Sequence, residues 1–331
     1  MSGSALLYCA GGGIGDSLVA SVVARALHAR FTRVDALTVP GHRSTLERCA
    51  DIDAVLVDDG ETIDELATRL RERGYDACAI TWATARVARV AHRAKIPIRV
   101  GQARRLYSHL FTHRVEVRSE RGNVTSPWVD ILLDYARALD CDTSDRVPSF
   151  VPTERDRADA DALLEGLGLT QYAIVHPTNA VAPKRGNWPS QGWSALARTL
   201  RERFDVPVLI SGSAVDREIN DAIVRDSGAT SIAGQLGIGG FGALAARARA
   251  FVGITTGSMH VAAAVGAPTV GIFPFQSDFP ERWAPMGSRT AIVRASYPCH
   301  PGDVKETCAD YACIANLDVP RIMAAVSDLL S

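Results

Sequence analysis

The stretch from Val252 to Phe273, "VGITTGSMHVAAAVGAPTVGIF", limits the fold of this chain more than any other. An apolar strand runs into the polar turn Thr255-Thr256-Gly257, and the small, apolar run from Ser258 to Val265 suits a helix packed tightly on a sheet. Gly266-Ala267-Pro268 ends that helix, and "TVGIF" reads as the next buried strand. The turn therefore sits at the C-terminal edge of a parallel sheet, where open α/β proteins bind ligands. Free N–H groups and the positive end of the helix dipole favour an anion there, most often a phosphate. Many strand-to-helix turns carry Thr and Gly merely as cap and hinge, so the turn needs its context.

That context is two-fold. The 331 residues allow two domains with separate cores. Short strands alternate with helical stretches through "ALLYCA", "RVDALTV", "AVLVD", "DACAIT" and "IPIRVG", and "SPWVDILLDYARAL" closes the half as a longer helix. The polar stretch "DCDTSDRVPSFVPTERDRAD" is the best linker. The alternation then restarts with "YAIVHP", "VPVLISG", "TSIAG", a helix over "GALAARARA" and the opening motif, before the amphipathic helix "LDVPRIMAAVSDLL". Two blocks of βαβ units predict two doubly wound parallel domains with a cleft between them.

Composition excludes several classes. A hydrophobic content of 47% with 22% charge is ordinary for a soluble protein, and no apolar run reaches membrane-spanning length. The N-terminus lacks the marks of a secretory leader, and seven scattered cysteines suit a reducing cytoplasm. The net charge of −1 argues against nucleic acid as a partner. Between Arg86 and Arg121, however, ten Lys/Arg face only Glu116 and Glu120, either a solvated surface or a means of recognising an anionic partner.

"AGGGIGDS", Ala10 to Ser17, follows the first strand and opens the first helix. It matches a dinucleotide fingerprint poorly, because Ala10 replaces the first glycine and the second strand ends without a ribose-binding acid. What it does is place Asp16 at a helix start, as a dipole-complementing acid or as a base that the dipole keeps ionised. In the second half, "HPTNAVAPKRGNWP" offers Thr178, Asn179, Lys184 and Arg185 after a strand end; the cations are surface charges or neutralise a diphosphate without a metal. Asp216 in "SGSAVDRE" can hold ribose hydroxyls or cap the next helix.

The Asp-x-Asp pattern of metal-dependent sugar transfer occurs at 51–53, 140–142 and 159–161, before a strand, after a helix and within one, so no catalytic metal is expected. Cys299, His300, Cys308 and Cys313 lack a Cys-x-x-Cys pair, which disfavours a structural metal as well.

Taken in order, these motifs resemble glycosyltransferase family 9, the bacterial heptosyltransferases of lipopolysaccharide core assembly. The likeness rests on Gly15-Asp16, on His176-Pro177 with "KRGNWP", on Gly212 to Asp216, and on Thr255-Thr256-Gly257-Ser258-Met259-His260 before "VAAAVGAPTVGIF". It implies an α/β GT-B fold: two Rossmann-like doubly wound domains facing a central cleft. Residues 1–152 would bind acceptor, 153–315 the nucleotide sugar, and the helix of 316–331 would pack back on the first domain. It further implies metal-independent, inverting transfer from a nucleotide sugar, typically ADP-heptose, to an anionic saccharide or glycolipid, with no cofactor, in the cytoplasm or at the inner face of the inner membrane.

By position, the resemblance makes Asp16 the catalytic base. Thr178, Asn179, Lys184 or Arg185 would meet the diphosphate, Asp216 the ribose, and Leu236 or Ile238 the adenine. The turn from Thr255 through Thr256, Gly257, Ser258 and Met259 to His260 would hold the phosphate and sugar end. Gly13, Arg104 and Arg105 would face the acceptor. Two departures stand out: Thr255 replaces the family's aspartate, and a longer loop leaves Lys184 and Arg185 rivals for one role. A sugar-nucleotide epimerase and a non-catalytic glycan- or nucleotide-binding protein are the alternatives.

Overall fold

The computed structural model describes residues 3–178, 188–275, 279–296, 308 and 311–331. The chain divides into two compact units, Met1–Val151 and Pro152–Ser331.

The first unit runs β1 (Ser4–Tyr8), α1 (Ile14–Leu27), β2 (Arg33–Thr38), α2 (Pro40–Leu46), β3 (Val55–Val57), α3 (Ile63–Arg73), β4 (Ala77–Ile80), α4 (Ala85–Arg93), β5 (Ile98–Gln102), β6 (His113–Val115) and α5 (Trp128–Arg137). Its strands form a six-stranded parallel sheet in the order β3-β2-β1-β4-β5-β6. Every residue of β1 and β4 is buried, as expected for central strands covered by helices on both faces. The strand order reverses between β1 and β4, which opens a crevice at their C-terminal ends.

The second unit runs α6 (Glu154–Leu167), β7 (Ala173–His176), α7 (Ser190–Phe204), β8 (Val208–Ile210), α8 (Arg217–Ser227), β9 (Thr230–Ser231), α9 (Ile238–Ala245), β10 (Phe251–Ile254), α10 (Gly257–Ala264), β11 (Thr269–Phe273), α11 (Pro280–Trp283), β12 (Thr290–Arg294), α12 (Ala312–Ala315) and α13 (Val319–Leu330). Its sheet repeats the same winding, β12-β11-β10-β7-β8-β9, with its switch point between β7 and β10. Trp193 is fully buried beneath this sheet, edge-on to Trp188.

Two sequence expectations are corrected. The polar stretch 140–159 is not one linker. Residues up to Val151 are tied to the first unit by Ser149 Oγ, which donates to Asp51 Oδ2, and by the Val151 N–H, which donates to the Arg48 carbonyl. From Glu154 the chain is already helix α6, started by a capping box: Thr153 Oγ1 accepts from the Asp156 N–H, and Asp156 Oδ2 accepts from the Thr153 N–H. Thr153→Ala should cost about 1 kcal/mol of stability, measured by urea denaturation of the whole chain.

The helix predicted over "GALAARARA" begins earlier, at Ile238, because Gly237 supplies its extended N-cap. Ile322, Met323 and Val326 of α13 are buried in the core of the second unit, against β11, β12 and α7. Among the described residues no helix is long and apolar enough to cross a membrane.

Candidate functional site

At the first switch point, β1 hands the chain to α1 through Cys9 to Gly13, and Asp16 is the third residue of the helix. The Gly13 N–H donates to Asp16 Oδ2 at 2.9 Å, which fixes the carboxylate over the turn. The glycines make this possible. Gly12 has φ +63°, and a Cβ there would lie 2.1 Å from Asp16 Oδ2. A Cβ on Gly11 would lie 1.8 Å from Cδ2 of Trp82, so that glycine exists to admit the indole. Burial raises the Asp16 pKa above the ordinary carboxylate range, and the hydrogen bonds from the Gly13 and Asp16 N–H groups offset only part of this. The helix end therefore does not act on Asp16 alone: desolvation by burial works against it.

Side-chain hydrogen bonds hold the surrounding strand ends. Thr38 Oγ1 and Ser17 Oγ donate to the Cys9 carbonyl at 2.8 and 3.0 Å, and Ser17 Oγ meets His42 Nδ1 at 2.8 Å. Thr81, after β4, donates to the Tyr8 carbonyl at 2.9 Å. Asp16, Gly11, Thr81, Trp82 and Trp128 line a notch of about 10 Å³, room for one water-sized group. Trp82 and Trp128 escaped the sequence reading. The available signal was position, since Trp82 follows Thr81 just past the end of β4, the strand across the switch point from β1.

The expected acceptor residues fare unevenly. Gly13 borders open space: a Cβ there would meet nothing within 4 Å. Arg104 is exposed on the loop after β5. Arg105 is engaged by Glu120, and the Gln102 amide, oriented to accept, lies 2.7 Å from its Nε. Much of the basic stretch is neutralised. Arg86 grips Asp58, Arg93 pairs with Asp64, Arg118 with Asp134 and Arg121 with Glu116. Three of those carboxylates lie outside the 86–121 window, which is why a linear charge count overstated the patch.

In the second unit, the turn after β10 opens α10. Thr256 Oγ1 accepts from the Met259 N–H as N-cap, and Gly257 and Ser258 form the first helical positions. Thr255 is held to β11, its N–H and hydroxyl both directed at the Ile272 carbonyl. The Met259 side chain is fully buried, with its sulfur over Gly271, so only its backbone lies at the turn. His260 is buried, which lowers its pKa to about 4, and its Nδ1 has no partner among the described residues. It is a neutral hydrogen-bonding group and carries no cationic charge for a phosphate.

Thr178 is buried just beyond β7, whose last residue, His176, meets Ser211 Oγ at 2.9 Å and stacks on Phe251. Burial lowers the His176 pKa to about 4 despite the nearby Asp216. Asp216 makes no side-chain cap bond to α8 but closes the capping box of the 3-10 turn before it: its Oδ2 accepts from the Ser213 N–H and hydroxyl, both at 2.6 Å. Leu236 lines a groove of about 610 Å³ with α6 residues Asp159, Leu163 and Leu167, a volume in the range of ligand pockets. Ile238 opens α9, half-buried. Asn179, Lys184, Arg185, Cys299 and His300 lie outside the described residues.

The carboxylates of the Asp-x-Asp patterns serve structural pairs: Asp51 with Arg25, Asp142 with Arg137, Asp161 with Arg247. Among the described residues no His, Cys, Asp and Glu side chains form a metal-binding group.

Residues 63–312 match the family model of glycosyltransferase family 9 (heptosyltransferase), a span that begins after Asp16. The lipopolysaccharide heptosyltransferase 1 of Pseudomonas aeruginosa is 29% identical over 175 residues, 53% of this chain and 46% of that protein. The chain thus aligns with about half the length of that relative. A family 9 glycosyl transferase structure from Veillonella parvula superimposes with a TM-score of 0.86 at 17% identity, covering 99% of this chain and 97% of that one. The E. coli ADP-heptose lps heptosyltransferase II does so at 0.79 and 20%, covering 99% and 98%. These likenesses show the GT-B fold.

Proposed function

Because the chain belongs to glycosyltransferase family 9, we propose that it moves heptose from ADP-heptose to an anionic saccharide, the lipopolysaccharide inner core, with inversion and without a catalytic metal. The observation that carries this is Asp16, the acid lining a notch that admits a single hydroxyl-sized group. An acceptor hydroxyl there gives its proton to Asp16 as its oxygen bonds to the anomeric carbon and the bond to the ADP oxygen breaks. One displacement by one base inverts the anomeric centre. The names of the relatives, a lipopolysaccharide heptosyltransferase and an ADP-heptose enzyme, support the donor and acceptor.

Thr256, Gly257 and the start of α10 would take the diphosphate, with the helix dipole offsetting its charge. Lys184 and Arg185 would add the cations that replace a metal. Asp216 would offer its remaining carboxylate oxygen to the ribose, and Leu236 the groove wall to adenine. The reaction would take place in the cytoplasm, where a glycolipid acceptor is met at the inner face of the inner membrane.

Incubating the protein with ADP-heptose, with and without a heptose-less inner-core acceptor, separates the readings. A glycosylated acceptor supports transfer, a donor altered without acceptor indicates an epimerase, and bound but unchanged ligand indicates a binding protein. Lys184→Ala should weaken ADP-heptose binding at least about tenfold, the worth of one charge-assisted phosphate contact. Arg185→Ala should weaken it less, and titration of both variants checks the order.

A further inference from the structure

Trp82 is the one aromatic side chain among the described residues that stands in the exposed class, with 45% of its surface open. Tryptophan is highly buried on average, so a half-open indole leaves an unusually large apolar face to solvent. This one is also held in place. Its predecessor Thr81 is buried and hydrogen-bonded to the Tyr8 carbonyl, and the carbonyl of its successor Ala83 accepts from Tyr107 Oη at 2.6 Å. Thr84 then caps α4. The indole rests against Gly11, where no Cβ could fit, and it borders the notch that contains Asp16. The absence of a side chain at Gly11 therefore leaves room for a tryptophan that is half open, flanked by tethered backbone and beside the proposed base.

We infer that Trp82 is the stacking platform for the acceptor sugar, a positioning residue that lays the pyranose ring on its indole so that one hydroxyl enters the notch at Asp16. The notch accepts one small group and no sugar ring, so the ring must rest outside it. The C–H-rich face of a pyranose is apolar with slightly positive hydrogens, and the indole face carries the matching negative quadrupole. A platform fixed before binding loses little entropy when the sugar arrives. The inference rests on the reading of Asp16 as the base, but it can be tested by binding alone.

The test uses the full chain and a de-acylated, heptose-less inner-core saccharide, titrated calorimetrically in the presence of ADP and also assayed for turnover with ADP-heptose. Trp82→Ala should weaken saccharide binding and raise its KM about tenfold or more, with ADP affinity unchanged and kcat at saturating acceptor much less affected. Trp82→Phe should restore most of the loss. Trp82→Leu, which keeps apolar bulk against Gly11 but has no aromatic face, should behave like alanine. Wild-type saccharide affinity in Trp82→Leu or Trp82→Ala would overturn the platform while leaving Asp16 untouched. Saccharide binding that depends on Trp82 without any turnover by the wild type would overturn the transfer reading and leave the platform standing. No saccharide binding by the wild type would overturn both.

Discussion

Asp16→Asn should lower turnover by about 10²–10⁴, the usual worth of a positioned general base, while leaving the fold and ADP-heptose affinity intact. Asparagine keeps the shape of the side chain, and its carbonyl oxygen can still accept from the Gly13 N–H, so the turn loses no hydrogen bond. What it loses is basicity. A purely structural Asp16 predicts the opposite pattern, since asparagine caps helices about as well as aspartate. The measurement is product formation, nucleotide-sugar affinity and thermal midpoint, taken side by side for the variant and the wild type. Near-wild-type turnover in a folded variant removes the base.

The pH dependence of the same residue gives an independent reading. Burial raises the Asp16 pKa, so the acidic limb of the wild-type rate profile should lie above the ordinary carboxylate range. The linked stability effect has the opposite sense to that of a salt-bridged acid. With a folded-state pKa above the unfolded one, the native state binds more protons between the two values, so stability falls as pH rises through that window. The penalty is fully present above the raised pKa and absent below the unfolded one. Asp16→Asn removes it, and should melt no lower than the wild type at neutral pH.

Both switch points were legible in the sequence because they depend on local patterns: apolar strand, glycine or Thr-Gly turn, helix start. Asp16 and the Thr255–His260 turn could be located from those patterns alone. What could not be read depends on contacts between distant segments. Trp82 joins the Asp16 notch only because β4 lies beside β1, a pairing that no local window contains. Arg86 and Arg118 looked free until Asp58 and Asp134 were brought to them by the fold. Met259 sits within the polar motif, yet the helical twist turns its side chain onto β11, against Gly271. The amphipathic pattern of α13 announced a helix with one buried face but carried no information about which unit would cover it.

Gly12→Ala should reduce turnover about 10²-fold without touching any chemical group of the reaction, because displacement by even about 1 Å of a catalytic group costs that much. The added Cβ would lie 2.1 Å from Asp16 Oδ2 and 2.6 Å from its Cγ, far inside contact distance. At φ +63° an alanine is also strained, by about 1–2 kcal/mol. The turn and the carboxylate must therefore move apart, and the Gly13 N–H can no longer hold Asp16 where it points into the notch. Donor binding, which depends on the second unit in the proposed mechanism, should be unaffected. The double variant Gly12→Ala/Asp16→Asn decides the cause. If the glycine acts through Asp16, the double variant should be little slower than Asp16→Asn alone, since groups acting as one unit are strongly non-additive. Losses that multiply would mean that Gly12 serves something other than the carboxylate, and the link from turn geometry to base would be wrong.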